Sequence, residues 1–257
     1  MKTIMIMKQI SILSSYLSQS LRYNVTKLEV RNFKVKWCNE NKIITEILKS
    51  KLNETIEAPI LDIGAGLGDI AYTAFPQKEA VLLDINKITD KDFPISVKHS
   101  RVYSNFFNYI PKQDFNTLLI SHSLQFIDDD LEKLNFKIEE FKAKYIVVVI
   151  NNNDGIMGEI LSWINQKTDS SNPEVEIIGF PANYKLEKNV FFSANLICPT
   201  FQELAKQISY LMVIDYMSVK SDLVSFLKTK LEIPSFAINQ SIKVYLRYEE
   251  KQPPYTH

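Results

Sequence analysis

The residues best placed to do chemistry are an acid, three alternate glycines and a second acid. In "PILDIGAGLGDIAYTAFP", Pro59 to Pro76, Asp62 precedes Gly64, Gly66 and Gly68, and Asp84 closes "VLLD" eighteen positions after Gly66. The chain of 257 residues has only 6 glycines, so this cluster answers a local demand of the backbone. Glycine between a strand and a helix allows left-handed backbone and lets a ligand approach the main chain closely. A carboxylate can accept two hydrogen bonds at once. A bare tight turn and a solvated strand end are the plain alternatives for these residues.

The elements that must position them follow from periodicity. "MKTIMIMKQISILSSYL" has the outline of a targeting segment, but Lys8 and Gln9 interrupt it. Ile6, Ile10, Leu13, Leu17 and Leu21 fall at helical spacing instead. "NENKIITEILKSKL" is a second helix, so residues 1–57 are expected to form an N-terminal helical lid over a core at 58–257, with substrate-side insertions around 151–200. Strands are expected at "APILDI", "EAVLLDI", "FNTLLIS" and "KYIVVVI", and a weaker one at "SRVYSN". Helices are expected at "GLGDIAYTAF" and "DDDLEKLNFKIEEFKA", then through Ile156, Ile160, Leu161 and Ile164. Further on come "CPTFQELAKQI", opened by Thr200 and Glu203 as a capping box, a strand-like "YLMVIDYM", the helix "KSDLVSFLKTKL" and the strand "SIKVYLRY". Near-continuous apolar strands between helices indicate a doubly wound, Rossmann-like α/β sheet, mostly parallel and covered on both faces.

Composition narrows the function. The 30 basic and 30 acidic residues cancel, and without a long run of like charges a nucleic-acid substrate is not expected. Cys38 and Cys198 form no CxxC motif, so no cysteine metal site is expected and a reducing cytoplasm fits. No stretch reaches eighteen unbroken apolar residues, so no membrane span is expected.

A dinucleotide fingerprint reads GxGxxG, whereas this turn reads GxGxG with an acid two residues earlier. It resembles motif I of the class I S-adenosylmethionine-dependent methyltransferases, whose seven-stranded doubly wound sheet ends in an antiparallel hairpin. The resemblance implies S-adenosylmethionine as cofactor. Gly64 and Gly66, with Ala65 between them, would admit its methionine part, Asp62 would meet the ammonium group and Asp84 the ribose hydroxyls. It also implies an adenine contact from Asn105 with Phe106 and Phe107. The end of the fourth strand, Ser121, His122, Ser123 and Gln125, would face the sulfonium and the acceptor. An imidazole takes a proton near neutrality, so His122 is a candidate to orient or deprotonate an acceptor nitrogen or hydroxyl.

Order and texture beyond the core, including "SHSLQFIDD", "YIVVVINNNDGIMGEILSWIN" and "NQSIKVYL", are similar to the histamine N-methyltransferase group. That similarity places substrate contacts near Glu40, His122 and Asn239, with histidine where the group has an amide. The expected activity is methyl transfer to a nitrogen of a small molecule. The alternatives are a protein methyltransferase and a catalytically silent scaffold of the same fold.

Overall fold

The computed structural model describes residues 36–87, 96–124, 131–168, 180–211 and 216–248. In chain order the elements are α1 (Glu40–Lys51), β1 (Ile60–Ile63), α2 (Asp69–Ala74), β2 (Ala80–Asp84), β3 (His99–Tyr103), β4 (Thr117–Ser121), α3 (Leu131–Phe141), β5 (Tyr145–Asn151), α4 (Gly155–Thr168), β6 (Tyr184–Ile197), α5 (Phe201–Leu211), α6 (Tyr216–Lys230) and β7 (Ser235–Arg247). The strands make a 7-stranded sheet in the order β3-β2-β1-β4-β5-β7-β6. The pairs β1–β2, β2–β3, β1–β4 and β4–β5 are parallel, and β7 runs antiparallel to β5.

This order follows from alternation along buried strands. Leu61, Ile63, Leu118, Ile120, Ile146 and Val148 point to one face, where Leu134, Ile138 and Phe141 of α3 cover them. Ile60, Ala80, Leu119, Val147 and Val149 point to the other face, against Ile44, Leu48 and Leu52 of α1. Each side chain buried this way contributes about 1.5–3 kcal/mol. Strand order reverses at β1, whose neighbours are β2 on one side and β4 on the other. The carboxyl ends of β1 and β4 therefore flank the switch point where open α/β sheets bind ligands.

The chain divides into two packed units. The first takes Asn41–Asn152, Pro173–Phe192 and Asn239–His257, and holds both cores just described. The second takes Met1–Glu40, Asn153–Asn172 and Ser193–Ile238. Its own core joins Met157, Ile160 and Ile164 of α4 to Leu204 and Ile208 of α5 and Leu223 and Leu227 of α6.

The doubly wound fold matches the sequence expectation, with three local differences. "YLMVIDYM" is not a strand where it is described. Tyr210 and Leu211 finish α5, and Tyr216 and Met217 begin α6. An apolar run of this length suits a helix as well as a strand, and its described end Met217 is exposed, the buried faces of α5 and α6 being carried by Leu204, Ile208, Leu223 and Leu227. Conversely, β6 was not foreseen: it is the edge strand opposite β3, and Lys185, Glu187 and Lys188 keep much of it exposed. Its inward residues Ala194 and Leu196 are nonetheless buried at period two. At α5, Thr200 Oγ1 accepts the Glu203 amide at 3.1 Å, but the Glu203 carboxylate accepts from Gln207, so only half of the capping box forms.

The N-terminal helix through Ile6 and Leu21, residues 88–95 between β2 and β3, Gln125 and residues 169–179, which hold most of the expected loop "QKTDSSNPE", lie outside the described residues, while Gln166, Lys167 and Thr168 of that expected loop finish α4. Among the described residues no helix is long and apolar enough to cross a membrane.

Candidate functional site

The turn after β1 is fixed by neighbours on three sides. The Gly64 and Ala65 amides donate to the Leu83 carbonyl at 2.8 and 3.0 Å, continuing the pairing with β2 past the strand end. The Gly66 amide donates to Asp84 Oδ2 at 2.8 Å. Oδ1 of the same carboxylate accepts from the Asn86 backbone and side-chain nitrogens at 2.8 and 2.9 Å. Asp84 therefore braces the turn as well as standing at a strand end, and it is 5% exposed.

The glycines answer different demands. At Gly64 (φ +71) an added Cβ would meet Ser123 Cβ at 2.5 Å. Ser123 sits that close because its hydroxyl donates to the Ile63 carbonyl at 2.6 Å. Gly68 (φ +79) lies over Leu82, whose Cδ1 would be 2.7 Å from an added Cβ. Gly66 (φ +57) has nothing among the described residues within 4 Å in that direction. Packing explains Gly64 and Gly68, and backbone conformation with open space explains Gly66.

Beneath the turn, strand register sets a row. Asp62 pairs with Leu82, and Leu82 with Arg101, so the three side chains emerge on one face of adjacent strands. Arg101 reaches across Leu82 and donates to the carbonyls of Gly66 at 2.7 Å and Leu67 at 3.0 Å. Sequence reading missed this arginine. Its signal is a charge in the middle of a predicted strand, but its partners are visible only once the register is known.

Asp62 is 3% exposed, and burial pushes its carboxyl up to about 7, with the Arg101 charge opposing the rise and the Asp84 charge adding to it. Between about pH 4 and 7 the folded chain thus keeps a proton that the unfolded chain has lost. That costs stability as pH rises through the window, and the cost is constant above it. Asp62→Asn lacks this titration, so its stability relative to wild type is expected to improve from pH 5 to pH 8. Denaturant unfolding of both proteins at the two pH values checks this; a difference unchanged by pH would contradict it.

The remaining candidates fall as follows. Asn105 Oδ1 accepts the Phe107 amide at 2.8 Å, capping a 3-10 turn at Phe106–Asn108. Phe106 is committed to the core, 6% exposed and stacked on Phe141 at 5.7 Å, so packing accounts for a ring expected against adenine. Ser121 ends β4, and its Oγ is buried with no hydrogen-bond partner among the described residues. His122 follows in left-handed backbone (φ 50), its amide donating to the Val149 carbonyl at 3.0 Å. A non-glycine residue there is strained by about 1 kcal/mol.

On β5 and β7, the Asn152 amide donates to the Asn239 carbonyl at 2.8 Å, and Ser241 Oγ donates to Asn152 Oδ1 at 2.8 Å. His122 and Asn152 thus follow the ends of β4 and β5, and Asn239 lies within β7 beside the end of β5. Glu40 opens α1 and belongs to the second unit; at 5% exposed it is not a solvated helix carboxylate. A polar recess between the end of α1 and Lys188 shares no residue with this site.

No family model matches the chain, and no curated protein sequence matches it. Solved structures do. A presumptive methyltransferase from Bacillus halodurans C-125 is 13% identical over 81% of this chain and 98% of that one, with a TM-score of 0.54. The plantazolicin methyltransferase BpumL, solved with a monoazolic desmethylPZN analogue and SAH, is 13% identical over 95% and 100% of the two chains, with a TM-score of 0.50. The narrower likeness to histamine N-methyltransferases finds no support in these comparisons. The chain has the seven-stranded α/β fold of class I methyltransferases.

Proposed function

We propose that the protein is an S-adenosylmethionine-dependent methyltransferase acting on a small molecule, at a nitrogen such as that of an amine or imidazole in preference to an oxygen. The observation that carries this reading is the open side of Gly66, held in left-handed backbone beside the Asp84 carboxylate. No described residue fills that space, and a ligand lying along the turn requires it. Ser121 adds a buried hydroxyl oxygen without a partner among the described residues, which a bound group would satisfy. These residues fit the cofactor. Asp84 would hold the ribose hydroxyls, the backbone from Gly64 to Gly66 the methionine part, and Asp62 the ammonium group.

When bound, the cofactor supplies a methyl group on a positively charged sulfur. The chain's share is alignment and exclusion of water, which bring the acceptor in line with little reorganisation. His122, in strained backbone after β4, would orient the acceptor or take its proton, and Asn239 is proposed as a further acceptor contact. BpumL supports this reading as a protein of similar fold solved with SAH and a monoazolic desmethylPZN analogue.

His122 sits where glycine is the comfortable residue, so His122→Gly is expected to be more stable than His122→Ala by about 1 kcal/mol. Both are expected to lose turnover. Equal stability of the two variants, or turnover untouched in both, would remove His122 from the site. The activity itself is tested with methyl-labelled cofactor against a panel of amines, imidazoles and phenols. Label in a small amine or imidazole is expected; transfer only to protein substrates, or cofactor binding without transfer to anything, would replace the proposal.

A further inference from the structure

Arg101 is a charged residue in the middle of a sheet strand, and the methyl-transfer reading gives it no task. Its surroundings define one. Two nitrogens of its guanidinium reach two successive carbonyls of the glycine turn, Gly66 at 2.7 Å and Leu67 at 3.0 Å. Register puts it on the same face as Asp62, one strand beyond Leu82. The two acids nearby, Asp62 and Asp84, are buried at 3% and 5% exposure.

The turn is thereby held at successive peptides by different groups. Leu83 takes the amides of Gly64 and Ala65, Asp84 the amide of Gly66, and Arg101 the carbonyls of Gly66 and Leu67. An amide and the carbonyl preceding it lie in one rigid plane, so fixing a carbonyl fixes where the next amide points. The Gly68 amide is also held, by the Ala65 carbonyl at 2.8 Å, so the peptide that follows Gly66 is the one glycine's freedom would otherwise leave free to rotate. A planar fork with several donors can hold two carbonyls together; an ammonium is a single compact charge and cannot reproduce that fork.

We propose that Arg101 is a positioning residue for the cofactor turn: its guanidinium pins the Gly66 and Leu67 carbonyls, presetting the peptide planes against which the cofactor lies and supplying the countercharge to Asp62. This rests on the methyltransferase reading of the site, and it makes β3, the outer strand of the sheet, part of the binding apparatus. A preset turn loses less conformational freedom on binding than a mobile one, so its benefit appears in affinity.

The test compares wild type, Arg101→Lys and Arg101→Met by calorimetric titration with SAH, with denaturant unfolding of each measured separately. Affinity is expected to fall in the order wild type, Arg101→Lys, Arg101→Met, with the methionine variant at least tenfold weaker and lysine restoring part of the loss. Faster hydrogen exchange at the Leu67 and Gly68 amides is expected in ligand-free Arg101→Lys. An Arg101→Met protein that binds SAH within twofold of wild type overturns the inference. Should that variant fail to fold, Arg101→Lys decides: affinity within twofold and unchanged exchange overturn it. Failure of the wild type to bind SAH overturns the methyltransferase reading itself, a separate result.

Discussion

Gly64→Ala is expected to destabilise the fold by roughly 2–5 kcal/mol, whereas Gly66→Ala is expected to cost about 1 kcal/mol and to fall chiefly on cofactor affinity. Both positions are left-handed, at φ +71 and φ +57, so both substitutions carry backbone strain. They differ in what the new methyl group meets. At Gly64 it lies 2.5 Å from Ser123 Cβ, and Ser123 is not free to withdraw, because its hydroxyl is bonded to the Ile63 carbonyl. At Gly66 it meets no atom of the described residues within 4 Å. It would stand in the space assigned to the cofactor, so SAH affinity is expected to drop at least tenfold in a protein that still unfolds cooperatively. Denaturant midpoints and SAH titrations of the two variants test the contrast. Equal destabilisation, or unchanged affinity in Gly66→Ala, would show that the open side of the turn is not a binding surface.

The second large effect belongs to Asp84. Its carboxylate accepts the Gly66 amide and both Asn86 nitrogens, and it is the acid proposed to hold the ribose hydroxyls. Hydrogen bonds to a charged group contribute about 1.5–3 kcal/mol each. Losing two such bonds to the ligand weakens affinity by about a hundredfold or more. Asp84→Ala is therefore expected to lose measurable SAH binding. Asp84→Asn keeps the shape without the charge and is expected to fall between. Because the same carboxylate braces the turn, stability must be measured alongside; a folded Asp84→Ala protein with wild-type affinity would leave the acid a structural brace alone.

The parts of this site that were legible in the sequence are those that local chemistry dictates. The separation of Gly66 from Asp84 along the chain becomes a 2.8 Å hydrogen bond because β1 and β2 lie side by side in parallel. Strand β3 was visible only as a weak pattern, yet it pairs with β2 over its whole length. Arg101 was missed because its role depends on a row across three strands, which no spacing within one strand reveals. Phe106 was drawn toward adenine by its place after β3, while the aromatic core around Phe141 claims its ring. The apolar run "YLMVIDYM" shows the usual ambiguity, since a short apolar run fits a helix as readily as a strand. Strand β6 escaped because an edge strand with one wet face dilutes the apolar signal.

The central claim is that the turn at Gly66 and the carboxylate of Asp84 form a cofactor site. Calorimetric titration of the wild-type chain with SAH tests it most directly. Saturable binding of one SAH per chain is expected, lost in Asp84→Ala. Absence of any binding heat, with no change in thermal unfolding on adding excess SAH, would contradict it.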